Sequence, residues 1–498
     1  MPSTTRASRS GSEADRSARR RGTVVGAACT ATATGLHDQS RPAIFHSRDL
    51  RKWTGTRMNS TRRGPLTCAQ REWFMDVGID ADSPWSYATN FTSVVHGAGA
   101  PVGVVLAAIG DLLDRHEGLR TLLPATGPGQ REQHVLPTAE RLGEVVRVAP
   151  AGPETDQAIA AATATAFRLG EQQPVLFVLE VAAGAVQRIG IVVDHCAVDG
   201  WGMRVLRTDF LQALRRRASG HPAFDGQPAP EQPLETAEWE MSEPGRAYAE
   251  RAEAYWRRQL DALRDGLSGW RPTSGTAPAD PVLQSRWLAS AHAARAAQAV
   301  ATRTGMPVSA VYLTAFGSVI SLVEGSPCAG IRSLAANRLS AGTQASVRKA
   351  VMPVPVLVPG TGDLAARLTA TASNQLHGHR FANVDPARAA AISAEVLGEL
   401  ADTGAAAARF NYIDASIVGS AANSRSLGAE AIPFTDPAVQ DRITEQPDRP
   451  GGSRYILSVQ HRPAAALMTI ACHGDTAWAP AAGDMLRHVE DVLVRASE

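Results

Sequence analysis

Three ionisable residues and two glycines lie within a stretch of nine positions: Asp194, His195, Asp199, Gly200 and Gly202. A neutral imidazole titrates near neutral pH and has one free lone pair, so it can accept a proton from an amine or a hydroxyl group. These residue types predict His195 as a general base. A histidine that only satisfies a turn gives the same short pattern, so five residues alone leave both interpretations open.

The flanking sequence predicts the elements that position this histidine. The apolar run Ile189–Val193 indicates a buried strand, and the glycines mark where it ends. Apolar residues then recur at every fourth position from Leu206 to Leu214. This spacing predicts a helix that ends near the arginines at 215–217 and Gly220. We therefore expect a strand, a turn and a helix, with His195 at the turn.

Longer motifs carry a resemblance to a known family. The Asp194–Gly200 stretch resembles the HHxxxDG signature of the condensation domains of nonribosomal peptide synthetases. The Arg115–Thr121 stretch looks like that family's RHExLRT motif, and Thr67–Phe74 is similar to its opening motif, with a serine changed to cysteine. Weaker matches follow in the family's order. They are Tyr255-Trp256, Ser333–Arg338 and Phe410–Tyr412.

The resemblance implies an α/β (α+β) fold of the chloramphenicol-acetyltransferase type, with two αβ lobes in a V-shaped pseudo-dimer. We expect residues 61–230 to form the N-terminal lobe with the His195 turn, and residues 231–498 to form the C-terminal lobe. The segment 221–233 would be the linker between them. Residues 1–60 are expected to be a disordered leader or the product of a mis-annotated start upstream of Met58.

The resemblance also implies a function. The chain would be a stand-alone condensation enzyme of natural-product or antibiotic biosynthesis, joining an acyl thioester to an amine or alcohol acceptor. The thioester would be carried on the phosphopantetheine of a partner acyl or peptidyl carrier protein, and no bound cofactor or metal is expected. His195 would remove the acceptor's proton, and Gly200 would offer its backbone N–H to the oxyanion. Asp199 would hold the turn by pairing with Arg338.

Other residues of the site are expected to support this chemistry. Asp194, Asn337 and Arg338 would be supporting residues, and Trp201 would either pack the lobes together or form a wall of the acceptor channel. Cys196 is beside the histidine, but adjacent strand residues point to opposite faces. We expect Cys196 to be a buried, inert thiol.

Two departures from the family pattern leave other functions open. Asp194 stands where the family has its first histidine, and Asp194 with Asp199 also matches the DxxxxD spacing of heterocyclisation domains, although Gly202 stands where their serine belongs. The stretch Val351–Val358 lacks the usual Phe-Val-Asn pattern, and its two prolines predict an edge strand or an extended loop. The alternatives are a catalytically degenerate recruitment platform, a heterocyclisation enzyme and a coenzyme-A-dependent acyltransferase.

Composition limits the classes of protein to consider. The chain has 498 residues, of which 44% are hydrophobic and 20% charged, as in ordinary globular proteins. No apolar run reaches the ~18 residues of a membrane span, so no membrane partner is expected.

The charge is unevenly distributed along the chain. Eleven basic and four acidic residues lie in 1–57, whereas the whole chain has a net charge of +1. The remainder is therefore mildly acidic, which argues against nucleic acid. Five scattered cysteines without CxxC spacing predict reduced thiols and a cytoplasmic location.

Three further local predictions concern the scaffold. The Arg115–Glu117 run should end a helix, with residues 119–123 as the next strand. Ser309 should cap an apolar helix over residues 310–322. Pro450–Ser453 looks like a phosphopantetheine attachment sequence but is expected to be a plain turn.

Overall fold

The structure is a computed structural model that describes residues 61–77, 90–127, 130–137, 142–271, 282–414, 443–450, 453–473 and 482–498. The expected leader, Met58 and Cys29 lie outside these residues. So do Gly451 and Gly452, the central residues of the expected turn at Pro450–Ser453.

The described residues before position 220 form two four-stranded sheets and four α-helices. The strands are β1 (Arg62–Pro65), β2 (Phe91–Pro101), β3 (Thr121–Leu122), β4 (Ala125–Gly127), β5 (Gln130–Val135), β6 (Val146–Pro150), β7 (Val175–Ala182) and β8 (Ala185–Val193). The helices are α1 (Cys68–Val77), α2 (Val102–Arg115), α3 (Pro153–Thr163) and α4 (Gly200–Ala218).

The four-stranded sheet that leads to His195 has the strand order β2-β8-β7-β6. A second four-stranded sheet has the order β1-β5-β3, with β4 also paired to β5. β8 pairs antiparallel with both β2 and β7. Its last residues, Ile189, Ile191, Val192 and Val193, are fully buried. Branched apolar side chains suit such a central strand because both of its faces are covered. The predicted strand is present and begins earlier, at Ala185.

The rest of the described chain forms one larger sheet and the helices that cover it. The helices are α5 (Pro233–Met241), α6 (Glu243–Gly266), α7 (Ala291–Thr304), α8 (Val308–Glu324), α9 (Ala341–Gln344), α10 (Leu364–Arg380), α11 (Pro386–Leu397) and α12 (Ala482–Ser497). The strands are β9 (Val282–Ser290), β10 (Cys328–Ala335), β11 (Met352–Pro359), β12 (Ala408–Asp414), β13 (Ile443–Pro450), β14 (Tyr455–His461) and β15 (Ala466–His473).

This sheet has seven strands in the order β11-β10-β12-β14-β15-β9-β13. The pairs β10·β12 and β12·β14 are parallel, and the other pairs are antiparallel. β11 lies at the edge, with Pro353 opposite Leu334 and Pro355 opposite Arg332. Proline has no backbone N–H to donate to a neighbouring strand. An edge strand has only one neighbour, so it tolerates prolines. The predicted edge strand is confirmed.

Two hydrophobic cores each include residues from the other part of the chain. The first lies among α2, α4, β7 and β8, and it includes Val347, which follows α9 in the chain. The second covers the seven-stranded sheet and includes Cys68 and Ala69 of α1. Residues 346–351, here called the crossing segment, therefore carry a side chain from beyond residue 230 into the first core. The expected lobe boundary at residue 230 stays a prediction.

The predicted helix end is confirmed, because α2 ends at Arg115 and His116 is its C-cap. Two other local predictions are wrong. Residues Glu117–Arg120 form a 3-10 helix, and the strand after it spans only Thr121–Leu122 instead of residues 119–123. The turn stays tight because Arg120 donates to the carbonyl of Leu113 at 2.8 Å and Thr121 donates to that of Glu117 at 2.7 Å. Ser309 is not a cap, because α8 already begins at Val308 after Pro307.

In the described part of the chain, no single helix has both the length and the apolar character to cross a membrane. The consecutive helices α7 and α8 pass that test only as a pair, and they are bent by 113° relative to each other.

Candidate active site at the His195 turn

His195 lies two residues after the end of the central strand β8, in a turn that leads to α4. The ring is part-buried, and its Nδ1 lies 2.7 Å from the carbonyl oxygen of Val198. A carbonyl only accepts, so Nδ1 carries the proton and Nε2 keeps its lone pair. The ring of Phe91 meets the imidazole edge-on, with 4.9 Å between the ring centroids. The turn thus fixes both the tautomer and the orientation of the imidazole.

The surroundings of His195 disfavour its charged form. Burial lowers the pKa of His195 to about 4, and the positive charge of Lys349 adds to this effect. The Val198 carbonyl and the charge of Asp199 act in the opposite sense without overcoming it. The imidazole is therefore neutral at neutral pH and its Nε2 is free to accept a proton.

Asp194 shapes the start of the turn. Its side chain is buried, and Oδ1 accepts from the backbone N–H of Cys196 at 2.8 Å. Its backbone donates to the Pro174 carbonyl and accepts from the N–H of Ala197. Oδ2 is buried and has no hydrogen-bond partner among the described residues. Burial raises the pKa of Asp194 to about 6. The residue that replaces the family's first histidine thus holds the turn through one oxygen.

Asp199 has a different environment, although it is equally buried. Arg338 donates to its Oδ1 at 2.8 Å, and the N–H of Gly202 donates to the same atom at 2.7 Å. The N–H groups of Ala350 and Val351 donate to its Oδ2 at 2.9 and 3.2 Å. Burial raises the pKa of Asp199, but Arg338 and these amides outweigh it, so the pKa lies below its ordinary range. Asp199 is a fully bonded anion that caps α4.

Arg338 joins this cap to the neighbouring loop. Besides Asp199, its guanidinium donates to the carbonyls of Thr343, Ser346 and Arg348 at 2.7 to 2.8 Å. The preceding Asn337 has a φ of +52°, a conformation that asparagine tolerates better than most residues. It turns the chain two residues after the end of β10. The expected pair of Asp199 and Arg338 is present, and Asn337 shapes the loop that presents Arg338.

The start of α4 packs closely on the crossing segment. A Cβ at Gly202 would lie 3.0 Å from the Arg348 carbonyl oxygen, so glycine permits this approach. Trp201 donates through Nε1 to the Gln344 carbonyl at 2.9 Å, and the Arg204 guanidinium lies over its ring at 4.5 Å. This contact fits the packing role expected for Trp201. Its alternative role as a channel wall stays a prediction, as does the oxyanion role of Gly200, the first residue of α4.

Cys196 is 1% exposed. Burial, followed by the charge of Asp194, raises the pKa of its thiol well above the ordinary range. A thiol with such a pKa is a poor nucleophile, which fits the expected inert role. The other described cysteines are also free and buried. They are Cys68, Cys328 and Cys472.

Sequence reasoning missed a charged pair beside the turn. Lys349 of the crossing segment donates to Glu72 of α1 at 2.5 Å, and the two residues are 277 positions apart. The local signals in the sequence are Glu72, which lies inside the Thr67–Phe74 motif, and the cations Arg348 and Lys349, which interrupt an apolar run. Neither signal identifies the partner. Among the described residues there is also no group of three or more His, Cys, Asp or Glu that could hold a metal ion.

The fold is that of condensation domains. It matches a condensation domain that mediates chain release from the enacyloxin polyketide synthase with a TM-score of 0.63 and 19% identity, covering 90% of this chain and 86% of that one. It matches the SgcC5 protein from Streptomyces globisporus with a TM-score of 0.61 and 16% identity, covering 87% and 98%. The X-domain from teicoplanin biosynthesis matches with a TM-score of 0.59 and 17% identity, covering 89% and 96%. The expected fold class is confirmed.

The Condensation domain family matches residues 61–377, more than half of the chain. The chain belongs to the condensation domain family, as the motifs predicted, and has a condensation-type role in the general sense of that family.

The curated relatives are much longer proteins. A probable non-canonical nonribosomal peptide synthetase of Salinispora arenicola, CymA, is 34% identical over 220 residues, which is 43% of this chain and 3% of that protein. A dimodular nonribosomal peptide synthase of Bacillus subtilis is 27% identical over 287 residues, or 53% and 12%. The chain thus spans a small part of these relatives.

Proposed function

We propose that this chain transfers an acyl group from a carrier-protein thioester to an amine or alcohol acceptor. The observation that carries the proposal is the His195 ring, which donates from Nδ1 to Val198 and keeps the Nε2 lone pair free. The acyl donor would be a substrate held on the phosphopantetheine arm of a carrier protein. The product would be an amide or an ester.

The proposed step moves one proton through His195. As the acceptor's nitrogen or oxygen attacks the thioester carbonyl, Nε2 takes the proton from that atom. The carbon–sulfur bond then breaks, and the thiolate of the phosphopantetheine arm takes the same proton from the imidazolium. The new bond is carbon–nitrogen or carbon–oxygen, and the histidine returns to its neutral form. Holding both substrates beside the ring contributes to the rate by proximity.

The neighbouring groups would have positioning roles. Asp199 is engaged by Arg338 and three backbone amides, so we assign it the role of holding the turn. Gly200 begins α4, and a helix N-terminus favours negative charge. Its backbone N–H would stabilise the oxyanion of the tetrahedral intermediate.

The direct test is the discharge of an acyl-loaded carrier protein in the presence of an amine or alcohol, followed by intact-mass measurement. We expect His195→Ala to lose most of the acceptor-dependent rate, on the order of a hundredfold or more, because the general base is removed. The matched control is Cys196→Ala, which removes the neighbouring buried thiol and should retain the rate. Unchanged turnover in His195→Ala would reject the assigned base.

A recruitment platform is the second candidate, and the replacement of the family's first histidine by Asp194 favours it. Such a protein would bind a tailoring enzyme and transfer no acyl group. A stable complex with a partner, combined with no acceptor-dependent discharge of any loaded carrier, would support the platform over the enzyme.

Two other transfer reactions can be distinguished from simple condensation by their donors and products. A coenzyme-A-dependent acyltransferase would use acyl-CoA as well as an acyl carrier. A heterocyclisation enzyme would convert a Cys, Ser or Thr acceptor into a ring with a further loss of water. Its DxxxxD pair would consist of Asp194 and Asp199. Comparing the donors and the product masses separates these reactions from simple condensation.

A further inference from the structure

One face of the seven-stranded sheet carries a row of polar side chains. The register pairs Asn411 with Ser458, and Ser458 with Thr469. The three residues therefore lie side by side on β12, β14 and β15, which are neighbouring strands about 4.8 Å apart. We call these three residues the polar row. Gln460 lies on the same face beside the row, because it is two positions after Ser458 on β14.

The polar row faces away from the helix-covered core of the sheet. The residue before each member of the row belongs to that core, and these residues are Phe410, Leu457 and Met468. Successive strand residues point to opposite faces, so the row lies on the other face. On β9, Trp287 is opposite Thr469 in the register and packs with Ala289 and Leu467. The row thus ends at an aromatic ring.

The polar row lacks hydrogen-bond partners although it is mostly buried. Ser458, Gln460 and Thr469 are 7%, 8% and 5% exposed, and Asn411 is half-buried. None of these four side chains makes a hydrogen bond in the described part of the chain. The Oγ of Ser285 on the neighbouring strand β9 is also buried without a described partner. Buried polar groups are normally hydrogen-bonded, so this set requires a partner from outside the fold.

The side chains define the chemistry of that partner. Asn411 and Gln460 each offer an amide N–H and an amide C=O, and Ser458 and Thr469 each offer a hydroxyl that donates or accepts. No ionisable side chain belongs to this set, so the complementary group is neutral. A carboxamide pairs with another amide through two hydrogen bonds, and the ring of Trp287 offers an apolar surface for the methylene groups between amides.

We propose that this face of the sheet binds a neutral, amide-bearing chain of a substrate through Asn411, Ser458, Gln460 and Thr469. The inference goes beyond the proposed function, because none of these residues belongs to the His195 turn and the proton transfer at His195 does not involve them. Amide groups occur both in the phosphopantetheine arm of an acyl donor and in a peptide. The experiment distinguishes these two sources.

The test measures binding without turnover. Pantetheine and the blocked dipeptide N-acetylglycylglycine amide are each titrated into the full chain and followed by ligand-observed NMR. The compound that binds more tightly identifies the source of the amide. The variant Ser458→Ala/Thr469→Val removes both hydroxyls and keeps nearly the same volume. We expect it to bind that compound about tenfold more weakly, because the bound amide loses hydrogen-bond partners.

The stability of the same variant separates a binding role from a structural one. Its urea midpoint should equal or exceed that of the wild type, because removing unpaired hydroxyls costs no hydrogen bond of the fold. The matched control is Ser333→Ala on the helix-covered face of β10. The Oγ of Ser333 accepts from Gln375 at 3.3 Å and lies 3.5 Å from Nε2 of His379. This control should lose stability and bind both compounds as the wild type does.

Three results would overturn the proposal. The first is that neither compound binds the wild type, and the second is that Ser458→Ala/Thr469→Val binds as tightly as the wild type. The third is that this variant is less stable than the wild type or does not fold, because its hydroxyls then have partners within the fold. Since no turnover is measured, the outcome does not depend on whether His195 is the base.

Discussion

Two aspartates flank His195, and their environments differ although both are buried. Asp199 receives an arginine and three backbone amides, so its pKa lies below the ordinary range despite burial. Asp194 receives one backbone N–H and has a second, unpaired oxygen, so burial raises its pKa to about 6. The positive charge of Arg338, together with the larger number of donors at Asp199, decides the sign of the shift. Asp199 is thus a stable anion, whereas the ionised form of Asp194 destabilises the folded state.

This difference predicts the effect of Asp194→Asn. Asparagine keeps an oxygen for the Cys196 N–H and removes the charge. A carboxyl whose pKa is raised from 3.8 to about 6 on folding destabilises the folded state increasingly as pH rises through that range. We therefore expect the variant to gain about 1–3 kcal/mol of unfolding free energy at about pH 8 and less at about pH 5. Urea denaturation at both values measures it.

The control for that prediction is Asp194→Ala, which removes the acceptor as well as the charge. It should be less stable than Asp194→Asn at both pH values, because the Cys196 N–H is left unpaired. A loss of stability in Asp194→Asn at the higher pH would contradict the account of Asp194.

At this scale the sequence predicted much of the site. The imidazole in the turn at His195 and the buried thiol of Cys196 follow from residue type and spacing, and the Asp199–Arg338 pair follows from the family resemblance. The Glu72–Lys349 pair could not be predicted, because its members are 277 positions apart. Charged residues are also mostly found at the surface, so neither residue indicated burial.

At the scale of elements, the His195 turn depends on the junction between α4 and the crossing segment. Asp199 caps α4 through Gly202 and at the same time accepts from Ala350 and Val351. One carboxylate thus attaches a helix N-terminus to a segment from beyond residue 230. The absence of a side chain at Gly202 lets the two backbones approach.

Asp199→Ala is predicted to destabilise this junction strongly. It leaves the Arg338 cation buried without its counter-ion, which typically costs about 3–5 kcal/mol. The variant should also lose acyl transfer, because the turn that orients His195 is no longer held. Guanidinium denaturation measures the first effect and the carrier-discharge assay the second.

The double variant Asp199→Ala/Arg338→Met is the matched comparison. Because it leaves no buried charge, its cost should be smaller than the sum of the two single costs. A cost below about 1 kcal/mol for Asp199→Ala, typical of an exposed ion pair, would contradict the role assigned to this junction.

Local patterns predicted the strand, turn and helix around His195, because hydrophobic periodicity of β8 and α4 is visible within a short window. They did not predict the 3-10 helix at Glu117–Arg120, which the side chains of Arg120 and Thr121 favour by donating to the carbonyls of Leu113 and Glu117. They also failed at Ser309, because Pro307 already sets the start of α8.

At the scale of the whole molecule, α1 contributes residues to the core of the seven-stranded sheet, and the crossing segment contributes Val347 to the first core. The resemblance predicted the fold class, since motifs from along the chain occur in the family's order. It did not predict that Val347 packs in the first core. Such contacts depend on how segments distant in sequence pack together, which periodicity does not encode.

Several buried histidines predict an acid-sensitive fold. Burial lowers the pKa of both His195 and His379 to about 4, and it also lowers the pKa of His116 and His461. In the unfolded chain these groups titrate near 6.5. As pH falls from about 6.5 to about 4.5, the unfolded state therefore binds protons that the folded state does not, and stability decreases.

The urea midpoint should accordingly fall across this pH range. The raised pKa values of Asp194 and Glu240 act in the opposite sense, so the decrease is a net effect of four histidines over two carboxyls. His379→Gln should show a shallower decrease than the wild type. A midpoint that is constant or rises on acidification would contradict this description.

The central claim is that His195 presents an unprotonated Nε2 at neutral pH, and its tautomer can be measured directly. Nitrogen NMR of histidine-labelled protein at about pH 7, with His195→Gln for assignment, reports the protonation of each ring nitrogen. The account predicts a neutral ring with its proton on Nδ1, where Val198 accepts it. A proton on Nε2, or a ring protonated on both nitrogens, would contradict it.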